Sequence, residues 1–188
     1  QSRDWSSDVC SSDLEDERFY DHSGIDGKGV IRAVAFLGSK GGGSTITQQL
    51  ALNMFSERAR NPITRVIQKL KEWIIAIKLE RNFTKQEILA LYLNVVPFSD
   101  NMYGIRNASL TFFSKEPDRL NIEESAVLIG MVNGPTIFNP RRNPKSALMR
   151  RNHVITKMGE NSFITEEEAS KIKLKPIVLN YKRMDENT

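Results

Sequence analysis

Three stretches hold residue types whose spacing could do chemistry. The first is Glu15-Asp16-Glu17-Arg18-Phe19-Tyr20-Asp21-His22-Ser23-Gly24. Carboxylates clustered beside aromatic side chains can hold one carboxyl group with a raised pKa, as a general acid or base requires. The same residues also fit a solvated acidic turn. The second is Gly41-Gly42-Gly43-Ser44-Thr45-Ile46-Thr47-Gln48-Gln49. A glycine loop feeding a helix start offers backbone N–H groups and the positive end of the helix dipole to an anion such as phosphate, while a flexible loop with an ordinary cap is the plainer alternative. It lacks the Gly-Lys-Ser/Thr ending of a nucleotide P-loop. In the third, Arg65, Lys69, Glu72 and Ala76 recur at i, i+4, i+7 and i+11 and share one helical face, which frames one carboxylate with two cations. A solvated face with a Lys69–Glu72 pair worth a few tenths of a kcal/mol would look the same, although Ile75 and Leu79 beside it argue against open water.

The elements that must position these residues are helical. Thr45 with Gln48 forms a capping-box pattern opening a helix through Ala51, Met54 and Phe55. Asn61-Pro62 opens a long helix with an apolar stripe at Ile63, Val66, Ile67, Leu70, Ile74 and Ile77. Further helices are expected from Glu87 to about Val96 behind Thr84, from Asn121 to Val132, from Asn143-Pro144 towards Met158, and after Thr165 with Glu168. Loops are expected at 38–43 and 133–143, and no period-2 strand run stands out. The fold class is mainly α.

At 188 residues, 39% hydrophobic and 27% charged, the composition is that of a globular domain and excludes collagen, coiled coil and disorder. No apolar run approaches the roughly 20 residues of a membrane span. A single cysteine, Cys10, excludes a disulfide framework, and two histidines, His22 and His153, exclude a histidine-rich metal site. The net charge of +4 is unevenly spread. Residues 1–26 hold two cations against eight carboxylates, 57–82 hold seven cations against three, and 141–157 are purely basic. Such segregation suits nucleic acid, an anionic membrane surface or a phosphorylated substrate; the basic residues lack the interleaved aromatics of a nucleic-acid binder, so no nucleic-acid partner is expected. Residues 1–14 contain the near-duplicate Ser6-Ser7-Asp8-Val9-Cys10 and Ser11-Ser12-Asp13-Leu14 and read as a non-native, adapter-like segment.

Together these stretches resemble the peptidoglycan glycosyltransferases, the domain found in class A penicillin-binding proteins and monofunctional transglycosylases. Glu15-Asp16 through Phe19 and His22 to Gly24 is similar to the family's first motif. Gly43 to Leu50 with Asn53 is similar to the second, and Lys69-x-x-Glu72 with Ala76 and Glu80 to the third. Lys85 to Asn94 followed by Tyr103-Gly104-Ile105 resembles the fourth, and Asn139-Pro140 with Arg150 to Met158 the fifth. The five occur in the family's order.

The resemblance implies a lysozyme-like, two-lobed helical glycosyltransferase domain over 15–175, with 176–188 an extension or the start of a linker. It implies polymerisation of lipid II into β-1,4 glycan with inversion and release of undecaprenyl pyrophosphate. Catalysis would rest on Glu15 as general base and Glu72 as the group orienting the donor or leaving group. Asp16, Phe19, His22, Ser44, Thr45, Gln49, Asn53, Arg65 and Lys69 would serve substrate binding, with Lys69 on the pyrophosphate. No organic cofactor is implied; a divalent cation, Mg or Mn, at the pyrophosphate is. The implied partners are lipid II, the growing glycan strand, a membrane surface reached through an anchor expected to be missing before Glu15, and a transpeptidase domain in the parent chain. The expected location is the periplasmic face of the bacterial cell membrane, and apolar residues at 30–37 are expected near it or in the core.

Leu52 stands where the family usually has lysine, Gln68 where it has arginine, and Ser99-Asp100 where glycine is common. Arg65, one turn before Lys69, is expected to replace one of the absent cations. A lysozyme-like hydrolase using Glu15 as its acid and a catalytically impaired lipid II- or glycan-binding fragment are the alternative readings.

Overall fold

The computed structural model describes residues 16, 18–27, 44–55, 61–99 and 101–182. Glu15, the adapter-like 1–14 segment, the glycine loop and the apolar 30–37 stretch lie outside the described residues. The chain divides into two compact units, Glu15–Val95 and one that contains Val96–Thr188.

The first unit holds α1 (Ile46–Phe55), α2 (Pro62–Asn82) and α3 (Lys85–Val95), with α1 packed on both others. Ile46, Leu50 and Ala51 of α1, Ala76 of α2 and Ile88, Leu89 and Tyr92 of α3 are fully buried, joined by Phe19 from the preceding turn. Local signals set the helix starts. The Asn61 side chain accepts from Thr64 N–H at 2.8 Å ahead of Pro62, and Glu87 reaches back to Thr84 N–H at 2.7 Å. That exposed carboxyl is held below its ordinary pKa by the hydrogen bonds from the Thr84 backbone and hydroxyl.

The packed face of α2 is not the apolar stripe. Val66, Ile67, Leu70 and Ile74 are 50–63% exposed, whereas Glu72 and Ala76 on the other side are buried. Periodicity shows that a helix has two faces; it does not show which face meets a neighbour. Here the side chain at 76 is small enough for close backbone approach, and that decides the packing.

The second unit begins with a hairpin, β1 (Pro97–Ser99) and β2 (Met102–Tyr103), in which Pro97 pairs with Tyr103 in antiparallel register. Its brevity kept it below any period-2 signal. Ser99 sits at φ 119°, in the backbone region that favours glycine. Its hydroxyl is held there by Asn139 Nδ2 at 3.1 Å. Helix α4 (Ile105–Phe113) was not expected from the sequence. It starts behind Gly104 with no side-chain cap and ends at Ser114 in the left-handed region, where the Ser114 N–H bonds to Leu110 O, so neither end carries a side-chain capping pair that the sequence could show.

Beyond a 3₁₀ turn at Pro117–Arg119, α5 (Ile122–Val132) packs against α6 (Pro144–Glu160), which in turn packs on α7 (Glu166–Leu174). Asn121 with Glu124 and Thr165 with Glu168 form complete capping boxes. Asn143 does not cap α6; its side chain donates to Thr136 O at 3.0 Å instead. Asn139 Oδ1 accepts from the backbone N–H groups of Arg141 and Arg142 and shapes the loop into α6. After α7 the chain runs along α4, where Asn180 and Lys182 donate backbone N–H groups to Phe112 O and Thr111 O. No described helix is long and apolar enough to cross a membrane.

Candidate active site

The turn 16–24 is built around one buried carboxylate. Asp16 Oδ2 accepts from the backbone N–H of Ile46, the first residue of α1, at 3.1 Å and faces His22 Nε2 at 2.8 Å. A carboxylate at a helix start satisfies an orphan donor and lies at the positive end of the dipole. His22 Nδ1 accepts from Gly24 N–H at 3.1 Å. An acceptor nitrogen carries no proton, so Nε2 bears the N–H that is donated to Asp16. His22, which shows no partner in the sequence, is thus a link between Asp16 and Gly24.

Gly24 carries the turn onto two helices. Its carbonyl accepts from Thr45 Oγ1 at 2.8 Å and Gln48 Nε2 at 3.2 Å. Thr45 Oγ1 also accepts from Gln48 N–H at 3.2 Å. The expected capping box is therefore half made: the Gln48 side chain crosses to Gly24 rather than returning to Thr45. Gly24 has φ 89°, and a Cβ there would lie 2.9 Å from both C and O of Ala76. Backbone cannot yield as a side-chain tip can, so only glycine fits.

A second layer braces this turn. Lys85 Nζ donates to His22 O at 2.6 Å and to Glu80 at 2.9 Å, and it stands 4.4 Å from the centre of the Phe19 ring. Glu80 Oε1 also accepts from Thr47 Oγ1 at 2.6 Å. Phe19 is 1% exposed and meets His22 edge-on, so it supports the turn from within. The Lys85–His22 and Glu80–Thr47 contacts span 63 and 33 residues and leave no local signal in the sequence.

The cationic face assembles as the helical spacing suggests. Lys69 Nζ donates to Ser44 Oγ at 2.7 Å and to Glu72 Oε2 at 2.9 Å. Glu72 is 5% exposed, while the Lys69 side chain is 37% exposed. An ammonium has three donors, and two are committed here. The third has no partner among the described residues. Gln49 Oε1 accepts from the buried Tyr92 hydroxyl at 3.1 Å. Asn53 and Arg65 are exposed. The structure thus brings Asp16, His22, Thr45 and Gly24 together, and Ser44, Lys69 and Glu72 together. Glu15 lies outside the described residues, directly before Asp16.

Among the described residues no cluster of three or more His, Cys, Asp or Glu side chains stands together, and the Lys69 ammonium already neutralises Glu72.

A helical domain with a carboxylate turn clamped to a helix start and a lysine–carboxylate pair beside it defines a class before it defines a protein. The family model for transglycosylases matches residues 9–159. The chain belongs to the transglycosylase family. It is 38% identical over 171 residues to penicillin-binding protein 1A of Escherichia coli strain K12, covering 89% of this chain and 20% of that protein. It is 39% identical over 177 residues to penicillin-binding protein 1F of Bacillus subtilis strain 168, covering 92% and 24%. A crystal structure of penicillin-binding protein 1A from Haemophilus influenzae superposes with a TM-score of 0.50 at 28% identity, over 73% of this chain and 17% of that one. The mainly helical fold class is thereby shown, and the chain spans about a fifth of the length of these relatives.

The close approach at Gly24 gives a direct test. Gly24→Ala is expected to cost about 1–3 kcal/mol of stability, read by denaturant unfolding; an unchanged midpoint would show that the turn is not pressed on Ala76.

Proposed function

We propose that this chain is a peptidoglycan glycosyltransferase that polymerises lipid II on the periplasmic face of the bacterial cell membrane. The observation that carries the reading is Lys69, held by Ser44 and Glu72 at the start of α1 with one donor unpartnered among the described residues. A pyrophosphate leaving group develops charge as its bond to the anomeric carbon breaks, and a preorganised cation at a helix start stabilises that charge. A hydrolase of a neutral glycosidic bond has no use for it.

Glu15 takes the proton from the acceptor sugar's 4-hydroxyl as that oxygen attacks the anomeric carbon. The α-linked pyrophosphate departs from the opposite face, and a β-1,4 bond forms with inversion. Lys69 contacts the pyrophosphate, Glu72 sets the ammonium's position, and Arg65 supplies a second cation one turn earlier. Lipid II and the growing strand are the partners, and a transpeptidase domain accompanies this one in the parent protein. Polymerisation in detergent tests the chemistry. Glycan made by this chain should vanish in Glu15→Gln, and Arg65→Ala should raise the KM for the donor. Undiminished glycan from Glu15→Gln would overturn the role of the base, and an unchanged KM would remove Arg65 from the donor site.

The exposed stripe of α2 supports membrane association. Val66, Ile67, Leu70 and Ile74 are at least half exposed, and Lys71 and Lys78 flank them along one edge. Inserting the exposed half of each side chain gains about 1 kcal/mol, and cations beside an apolar stripe favour anionic headgroups. Binding to anionic vesicles is expected to fall at least about tenfold in the double variant Leu70→Glu, Ile74→Glu, a loss of some 1.4 kcal/mol or more. Equal co-sedimentation of variant and parent would count against this face.

A further inference from the structure

Adjacent glutamines of α1 commit opposite ends of their amides. Gln48, 1% exposed, donates Nε2–H to the Gly24 carbonyl at 3.2 Å. Gln49 does the reverse: its Oε1 accepts from the hydroxyl of Tyr92 in α3 at 3.1 Å, and its Nε2 has no partner among the described residues. Tyr92 is fully buried, whereas Gln49 is the one residue of 45–51 that is not buried.

A primary amide carries an acceptor oxygen at one end and two N–H donors at the other, with nearly the same shape either way round. The end that is pinned therefore decides what the other end can read. Here a phenol proton given to Oε1 spends the carbonyl on the buried tyrosine and leaves both N–H groups for a ligand. The flipped amide would bond Nε2 to the phenol oxygen and present its carbonyl, which repels any oxygen that can only accept. The tyrosine that makes this choice stands 43 residues away on another helix, so the Gln48-Gln49 pair gives no hint of it in the sequence.

We infer that Tyr92 is a positioning residue for glycosyl transfer: it holds Gln49 so that N–H groups, rather than a carbonyl, meet an acceptor-only oxygen of the donor, such as a phosphate oxygen. This role rests on the proposed place of Gln49 in the donor site. Ser44, which binds Lys69 at the start of the same helix, lies five residues earlier, and that reading puts the donor's phosphate charge beside it. Tyr92 itself touches no substrate. Its hydroxyl acts through Gln49, so its loss should weaken donor binding more than it slows the bond-making step.

Kinetics with lipid II in detergent and side-chain NMR of Gln49, both on the whole chain, test this role together. Tyr92→Phe, which keeps the ring, should raise the KM for lipid II about threefold to tenfold, the worth of one hydrogen bond, while lowering kcat less. In a Gln49→Ala background the same substitution should add nothing. Gln49→Glu keeps an acceptor for Tyr92 but has no N–H to give, so it should raise KM at least as much as Gln49→Ala. The Gln49 side-chain carbonyl ¹³C resonance should move upfield in Tyr92→Phe as its hydrogen bond is lost, with the backbone amides of α1 and α3 otherwise as in the parent. The role of Tyr92 alone would be overturned by an unmoved carbonyl resonance, by a raised KM in Gln49→Ala beside an unchanged one in Tyr92→Phe, or by a second rise when Tyr92→Phe is added to Gln49→Ala. An unchanged KM in Gln49→Ala would overturn the donor-site reading of Gln49 and this role with it.

Discussion

The first unit depends on one carboxylate. Asp16 Oδ2 takes the backbone N–H of Ile46 and the Nε2–H of His22, and so joins the 16–24 turn to the start of α1. A charged, buried hydrogen bond of this kind is worth about 1.5–3 kcal/mol, more than an ordinary neutral one. Its removal would leave Ile46 N–H and His22 Nε2–H without acceptors in a site closed to water. The remaining contacts of the turn follow from it: His22 orients Gly24, Gly24 takes Thr45 and Gln48, and the whole turn seats on Ala76.

The same constraint links fold to chemistry. Asp16 is spent on holding α1, so this carboxylate of the acidic stretch is structural. Lys69 is likewise committed. Two of its donors fix it to Ser44 and Glu72, which places a cation at the helix start before any ligand arrives. Preorganisation of this sort lowers the reorganisation needed when charge develops on a leaving group.

Legibility in the sequence followed the range of each interaction. Capping pairs three residues apart, Asn121 with Glu124 and Thr165 with Glu168, were readable because the signal is local. Lys69 with Glu72 was readable for the same reason. The α4 helix escaped because Gly104 offers no side-chain cap, and the hairpin because its strands are three and two residues long. The packed face of α2 could not be read, since helical periodicity is blind to which neighbour a face will meet. The bracing of His22 by Lys85 and of Thr47 by Glu80 joins residues far apart in the chain, and only the assembled fold shows it. The motifs named the residues without telling that Phe19 is sealed inside or that the Gln48 side chain turns to Gly24.

Asp16 holds the carboxylate turn to α1. Hydrogen exchange of backbone amides in Asp16→Ala, compared with the parent chain, tests it most directly. Loss of the acceptor should speed exchange at Ile46 and Gln48 and leave α5 of the other unit, residues 122–132, protected as before. Unchanged protection at Ile46 would contradict the account, since the amide would then owe its shelter to something other than this carboxylate.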